Sequence, residues 1–123
     1  MKAEEKKLLL DAHEARQSIR QRCAGHSFEE YTADRWFRRA VEREFEIIGE
    51  ALNRLERLAP ETAARITALR RIVDFRNRII HGYNSVDDVI VWRTVEYHSP
   101  LLLTEVENLL PRETTEPEGD DAG

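Results

Sequence analysis

Apolar residues recur at steps of three and four along most of this chain, the spacing of a helix face, and nowhere alternate as a strand would. Leu8, Ala12, Ala15, Ile19 and Cys23 predict a first helix that stops near Gly25, with Cys23 as its last core position. Ser27 and Glu30 have the spacing of a capping box and predict a short helical turn carrying Phe28 and Tyr31. From about Thr32 runs the longest pattern: Phe37, Val41, Phe45, Ile48, Leu52, Leu55 and Ala59. Trp36, Ala40, Ile47, Ala51 and Leu58 widen that stripe, which predicts a central helix buried on two sides. Gly49 in its middle costs up to about 1 kcal/mol relative to alanine, tolerable where another backbone packs close.

Pro60 ends this helix and can open a short turn through Ala64. A further helix carries Leu69, Ile72, Val73, Ile79 and Ile80 and should fail at Gly82, which can take the left-handed terminal conformation. Ser85 with Asp88 resembles another cap, opening a last long helix through Val89, Trp92 and Val95 to Leu110. Pro100 should kink it, because it removes a backbone donor and clashes with the preceding turn. The fold expected is therefore all-α, an up-and-down bundle of four main helices with short extra helical turns. It occupies residues 1–111, and the acidic tail 112–123, with no apolar residue larger than alanine, is expected to be disordered.

Composition narrows the class. A chain of 123 residues holds a single core, and with 35% charged and 41% apolar residues it suits neither a membrane protein nor a disordered one. One cysteine permits no internal disulfide and no Cys-rich zinc site, and no apolar run reaches signal or transmembrane length, so a cytoplasmic location is expected. The net charge of −5 is concentrated in the tail, whose five acids against Arg112 leave residues 1–111 at −1. Only three of the 19 cations are lysine, and residues 65–81 carry Arg65, Arg70, Arg71, Arg76 and Arg78 against the single acid Asp74. Arginine suits bidentate phosphate contact, although pairing of Arg70 and Arg78 with Asp74 on a solvated face explains part of this stretch.

The run D-F-R-N-R-I-I-H-G-Y at 74–83 concentrates the candidate chemistry. On a helix it places Arg76 among Leu69, Ile72, Ile80 and Tyr83, an apolar stripe that one protomer's own core does not readily accommodate. Arg70, Asp74, Asn77 and His81 form a second ridge, on which the Asn77 amide can orient the His81 imidazole. Arg76 and His81 lie about 140° apart around an ideal helix, so they converge if the helix unwinds near Gly82, if the arginine bends round, or if a second copy contributes. A neutral imidazole can take the 2′-hydroxyl proton of RNA while a guanidinium stabilises the phosphorane, which is metal-free phosphodiester cleavage. The plainer alternative is a capping histidine and a snorkelling arginine, with Tyr83 a core aromatic whose hydroxyl reaches solvent.

R-N-R-I-I-H-G-Y, Arg76 to Tyr83, resembles the R-x4-H-x-Y motif of the HEPN superfamily, specifically the HepT-like toxins. E-I-I-G-E-A-L, Glu46 to Leu52, is similar to that family's I-G-E-A segment, and V-D-D at 86–88, Trp92 and Pro100 continue the likeness. The resemblance implies a dimeric helical bundle with a metal-independent ribonuclease site at the dimer cleft, needing no cofactor and acting on RNA. It implies Arg76 and His81 as catalytic residues, Asn77 as the supporting polar residue and Tyr83 as the tyrosine modified with AMP. The implied partner is an MNT-type minimal nucleotidyltransferase, the antitoxin. Many relatives have a tryptophan several residues before the motif, where this chain is aliphatic around Leu69.

The competing reading is a non-catalytic HEPN adaptor that binds nucleotide or a nucleotidyltransferase partner, since both kinds share a fold. DNA binding has no helix-turn-helix pattern or net positive charge behind it. His13, His26 and His98 are scattered without metal-ligand spacing, so no metal site is expected. Glu46 and Glu50, four apart on the central helix, are expected to pair with arginines across the bundle rather than to act as a catalytic dyad.

Overall fold

The computed structural model describes residues 1–67, 69–80 and 88–111. Its helices are α1 (Ala3–Cys23), α2 (Phe28–Ala33), α3 (Arg35–Leu58), α4 (Pro60–Ala63), α5 (Leu69–Ile80), α6 (Asp88–Arg93) and α7 (Ser99–Leu109). A π-helical turn, Thr94–His98, joins α6 to α7, so that these three make one long irregular helix. With α1, α3 and α5 it forms the expected all-α bundle of four main helices, and no strand occurs among the described residues. The expectations for Gly82, Ser85 and the tail 112–123 lie outside the described residues.

Local chemistry sets most of the boundaries. α1 stops before Gly25, which has φ of 78°. The Ser27 hydroxyl accepts from the Glu30 N–H while the Glu30 carboxylate accepts from the Ser27 N–H, completing the capping box. That backbone N–H, helped by His26, holds the Glu30 carboxyl below the usual range. Asp34 Oδ1 accepts from the N–H groups of Trp36 and Phe37, so α3 begins at Arg35 rather than at Thr32. Ahead of Pro100 the Ser99 N–H donates to the Thr94 carbonyl, five residues back, and the helix widens by one residue where proline supplies no donor.

The centre of the molecule is α3, flanked by α1 on one side and α5 on the other. Phe45, Ile48, Leu52 and Leu55 are fully buried in one cluster with Leu9, Ala12 and Ile19 of α1 and Ile72 and Val73 of α5. Each such side chain contributes roughly 1.5–3 kcal/mol of transfer free energy. At one end Tyr31, Phe37 and Trp92 pack as a ring cluster, with Tyr31 5.2 Å from each of the other two ring centroids. Burial pushes the Tyr31 phenol up, and its hydroxyl has no hydrogen-bond partner among the described residues. Burial likewise pushes the Cys23 thiol up to about 11, as fits a half-buried residue packed on the core.

Two features depart from the sequence pattern. Trp36 does not extend the buried stripe: it is 82% exposed, because α3 enters with Phe37 turned inward and its neighbour therefore about 100° away. Leu58 is also exposed, so at its ends α3 is buried on one side only, whereas Ala51 is buried and Ile47 packs at the edge of the core. Arg16, conversely, is buried, with Nε donating to the Ser99 carbonyl at 3.2 Å and Nη1 without a hydrogen-bond partner among the described residues. Desolvation lowers its pKa.

Candidate functional site

The described site is built where α5 crosses α3. Ile72, Val73 and Phe75 turn into the core, and Phe75 meets Phe45 edge-on with ring centroids 5.2 Å apart. That orientation sends Arg76, the next residue, against α3 at Gly49. A Cβ at Gly49 would lie 2.2 Å from Arg76 Cβ and 2.5 Å from its Cγ, a separation at which two carbons overlap. Glycine is therefore needed here for want of space. The neighbour it admits is the stem of an arginine side chain rather than the backbone anticipated from the sequence.

The stem lying on Gly49 fixes where the guanidinium can reach. Nη2 donates to Glu50 Oε1 at 2.6 Å and Nη1 to Asn77 Oδ1 at 3.0 Å. Nε is buried and has no hydrogen-bond partner among the described residues. The Arg76 side chain is 19% exposed and that of Glu50 45%. Among the described residues only two of the five guanidinium donors are engaged. The head opens on a cleft of about 260 Å³ between α1 and α3, lined by Arg43 and Arg54 and by the carboxylates of Asp11, Glu46 and Glu50. Arg76 thus sits in the apolar stripe as expected, but a single protomer does accommodate it, because Gly49 makes room for the stem and Glu50 balances the charge.

Other predicted residues fall into place around this pair. Glu50 pairs across the bundle, as anticipated, whereas Glu46 pairs within α3, with Arg43 at 3.1 Å. Asn77 is half-buried and engaged by Arg76. Arg70 pairs with Glu56 of α3 and lies 3.9 Å from Asp74 Oδ1. His13 contacts Glu107 at 3.0 Å and His26 contacts Glu30 at 3.3 Å, both exposed pairs. His81 and Tyr83 lie outside the described residues, as do the side chains of Arg78 and His98. Among the described residues no group of three His, Cys, Asp or Glu side chains is placed to hold a metal ion. No helix among them is long and apolar enough to cross a membrane.

The profile of a family described as Ribonuclease HepT-like matches residues 12–109, a span that includes both the Gly49–Glu50 crossing and the Arg76 motif. This chain belongs to the HepT-like ribonuclease family. It is 34% identical over 113 residues to a protein of Thermococcus cleftensis named probable ribonuclease HepT, covering 89% of this chain and 98% of that one. A protein of Caldanaerobacter subterraneus subsp. tengcongensis, named as an RNase candidate, is 33% identical over 93 residues, covering 76% of this chain and 82% of its own. A third, of Methanocaldococcus jannaschii and named in the same way, is 30% identical over 83 residues, 68% of each chain. No solved structure matches the chain with comparable significance.

The crossing predicts the sign of a substitution. By helix propensity alone Gly49→Ala would stabilise the chain by about 1 kcal/mol. Overpacking against Arg76 Cβ, which cannot swing away without moving α5, costs about 1–3 kcal/mol and should win. Chemical denaturation should show Gly49→Ala less stable than wild type; a more stable variant would contradict the close crossing.

Proposed function

We propose that this chain is a metal-independent endoribonuclease, the toxin of a HEPN/MNT toxin–antitoxin pair, which acts in the cytoplasm as a homodimer. The observation that carries the reading is the Arg76 guanidinium, fixed by Gly49, Glu50 and Asn77 at an open cleft in a chain of a ribonuclease family. A phosphate oxygen approaching that cleft meets a cation whose position is already set, so little reorganisation is required as charge develops. In the proposed reaction the His81 imidazole takes the 2′-hydroxyl proton and O2′ attacks the adjacent phosphorus. The P–O5′ bond breaks, the 5′-oxygen leaves with a proton taken from solvent water, and Arg76 stabilises the phosphorane between these events. Asn77, which holds Arg76 on one side, has the supporting role. A second copy brings its own motif to the same cleft, which offsets the divergence of Arg76 and His81 around one helix.

The first test is incubation of the purified chain with RNA in excess chelator. Wild type should leave 2′,3′-cyclic phosphate or its hydrolysis product, and His81→Ala and Arg76→Ala should each lower the rate by about 100-fold or more. Cleavage that requires magnesium or survives His81→Ala would overturn the mechanism. Absence of cleavage by an unmodified chain that still binds a nucleotidyltransferase would favour the adaptor reading.

Control is assigned to Tyr83 and an MNT-type nucleotidyltransferase antitoxin. The phenol oxygen attacks the α-phosphorus of ATP, the bond to the β-phosphate bridging oxygen breaks, and pyrophosphate leaves. The attached AMP brings a negative charge that competes with RNA for Arg76. Co-expression with such a partner should add one or more AMP masses at Tyr83 and abolish cleavage. A Tyr83→Phe variant silenced just as fully would show that inhibition is steric and the tyrosine incidental.

A further inference from the structure

We infer that Glu50 is a positioning residue: its carboxylate, contributed by a neighbouring helix, holds the Arg76 guanidinium in the orientation that receives an RNA phosphate. The inference rests on the proposed ribonuclease reading and adds to it a residue outside the R-x4-H-x-Y motif.

Arg76 retains few conformational freedoms. An arginine ordinarily has several rotatable bonds, and on a surface its head samples a wide arc. Here Cβ and Cγ lie on the bare backbone of Gly49, which fixes the stem. Nε is buried and finds no acceptor among the described residues, so none of their polar groups anchors the middle of the side chain. The plane of the head is then set by its two ends, Nη1 on Asn77 and Nη2 on Glu50. Asn77 is the next residue on the same helix and moves with Arg76. Glu50 belongs to α3, so it is the only one of these polar contacts that ties the head to the rest of the bundle.

The carboxylate is also well placed to leave the working donors free. Glu50 Oε1 takes one N–H of Nη2 and Asn77 Oδ1 one of Nη1, and no further described residue engages the remaining Nη donors. Glu50 is 45% exposed and lines the cleft beside Arg43, so it can keep this hold with RNA present rather than being displaced into the core. A short charge-assisted bond from a planar guanidinium is directional, which suits orientation more than net stability. Displacing a reacting group by about 1 Å can cost about 100-fold in rate, and that is the scale a positioning contact can command.

The test compares Glu50→Ala, Glu50→Gln and Arg76→Ala with the double variant Glu50→Ala/Arg76→Ala. In wild type, Glu50→Ala should lower kcat about 10- to 100-fold with little change in KM. Glu50→Gln keeps an acceptor oxygen and should recover most of the loss. In the Arg76→Ala background, Glu50→Ala should cost nothing further, because a residue acting through Arg76 has nothing left to act on. An equal loss in both backgrounds would mean a merely structural role, and a lower KM with unchanged or higher kcat would mean that Glu50 competes with RNA; either overturns the inference. The Arg76 Nε–H resonance, assigned by its loss in Arg76→Lys, separates this outcome from failure of the ribonuclease reading itself. Glu50→Ala should speed its hydrogen exchange about tenfold by loosening the head, whether or not the chain cleaves RNA. Unchanged exchange would show that Glu50 does not hold Arg76.

Discussion

The rest of the structure depends on the approach of α5 to α3 at Gly49. Were any side chain present there, Arg76 Cβ could not occupy its position, and α5 would have to shift or roll on the central helix. The same crossing sets Phe75 against Phe45 where Ile72 and Val73 of α5 and Ile48 and Leu52 of α3 are all buried, so core packing and placement of the arginine are one constraint. A glycine in the middle of a 24-residue helix weakens that helix locally and in return admits a cation into an apolar stripe.

Electrostatics follow from this placement more than from net charge. Residues 1–111 carry only −1, and many of the arginines are paired: Arg39 with Glu42, Arg43 with Glu46, Arg70 with Glu56. Such a surface offers RNA no broad positive field of the kind that dominates non-specific nucleic-acid binding. On the proposed reading, a phosphate is recognised instead by a few donors held in position, which the surroundings of Arg76 supply. Its partner Glu50 neutralises charge without using all of its hydrogen-bonding capacity.

Much of the fold was legible because it rests on local chemistry. The capping box at Ser27 and Glu30, the stop at Gly25, the Pro60 boundary and the irregularity ahead of Pro100 need only nearby residues to be understood. Trp36 was misleading because its spacing fits the stripe while the Asp34 cap fixes the angle at which the helix enters. Arg16 lies at helical spacing from Ala12 and Ile19, so its burial had a signal, yet the acceptor that satisfies it is a Ser99 carbonyl in a distant helix. Arg76 could be singled out as anomalous in its stripe. That one protomer accommodates it follows from a glycine and a glutamate on another helix, which periodicity within α5 does not reveal. His81 and Tyr83 rest on the motif and the family, since both lie outside the described residues.

The central claim is that the guanidinium held at this crossing is the group that meets the RNA phosphate. It is tested most directly by titrating the 15N-labelled chain with a single-stranded 2′-O-methyl RNA, which has no free 2′-hydroxyl and cannot be cleaved by this route. The Arg76 Nε–H signal should shift in a saturable way, with the same dissociation constant as overall binding. RNA that binds while the Arg76 signal stays where it was would contradict the account.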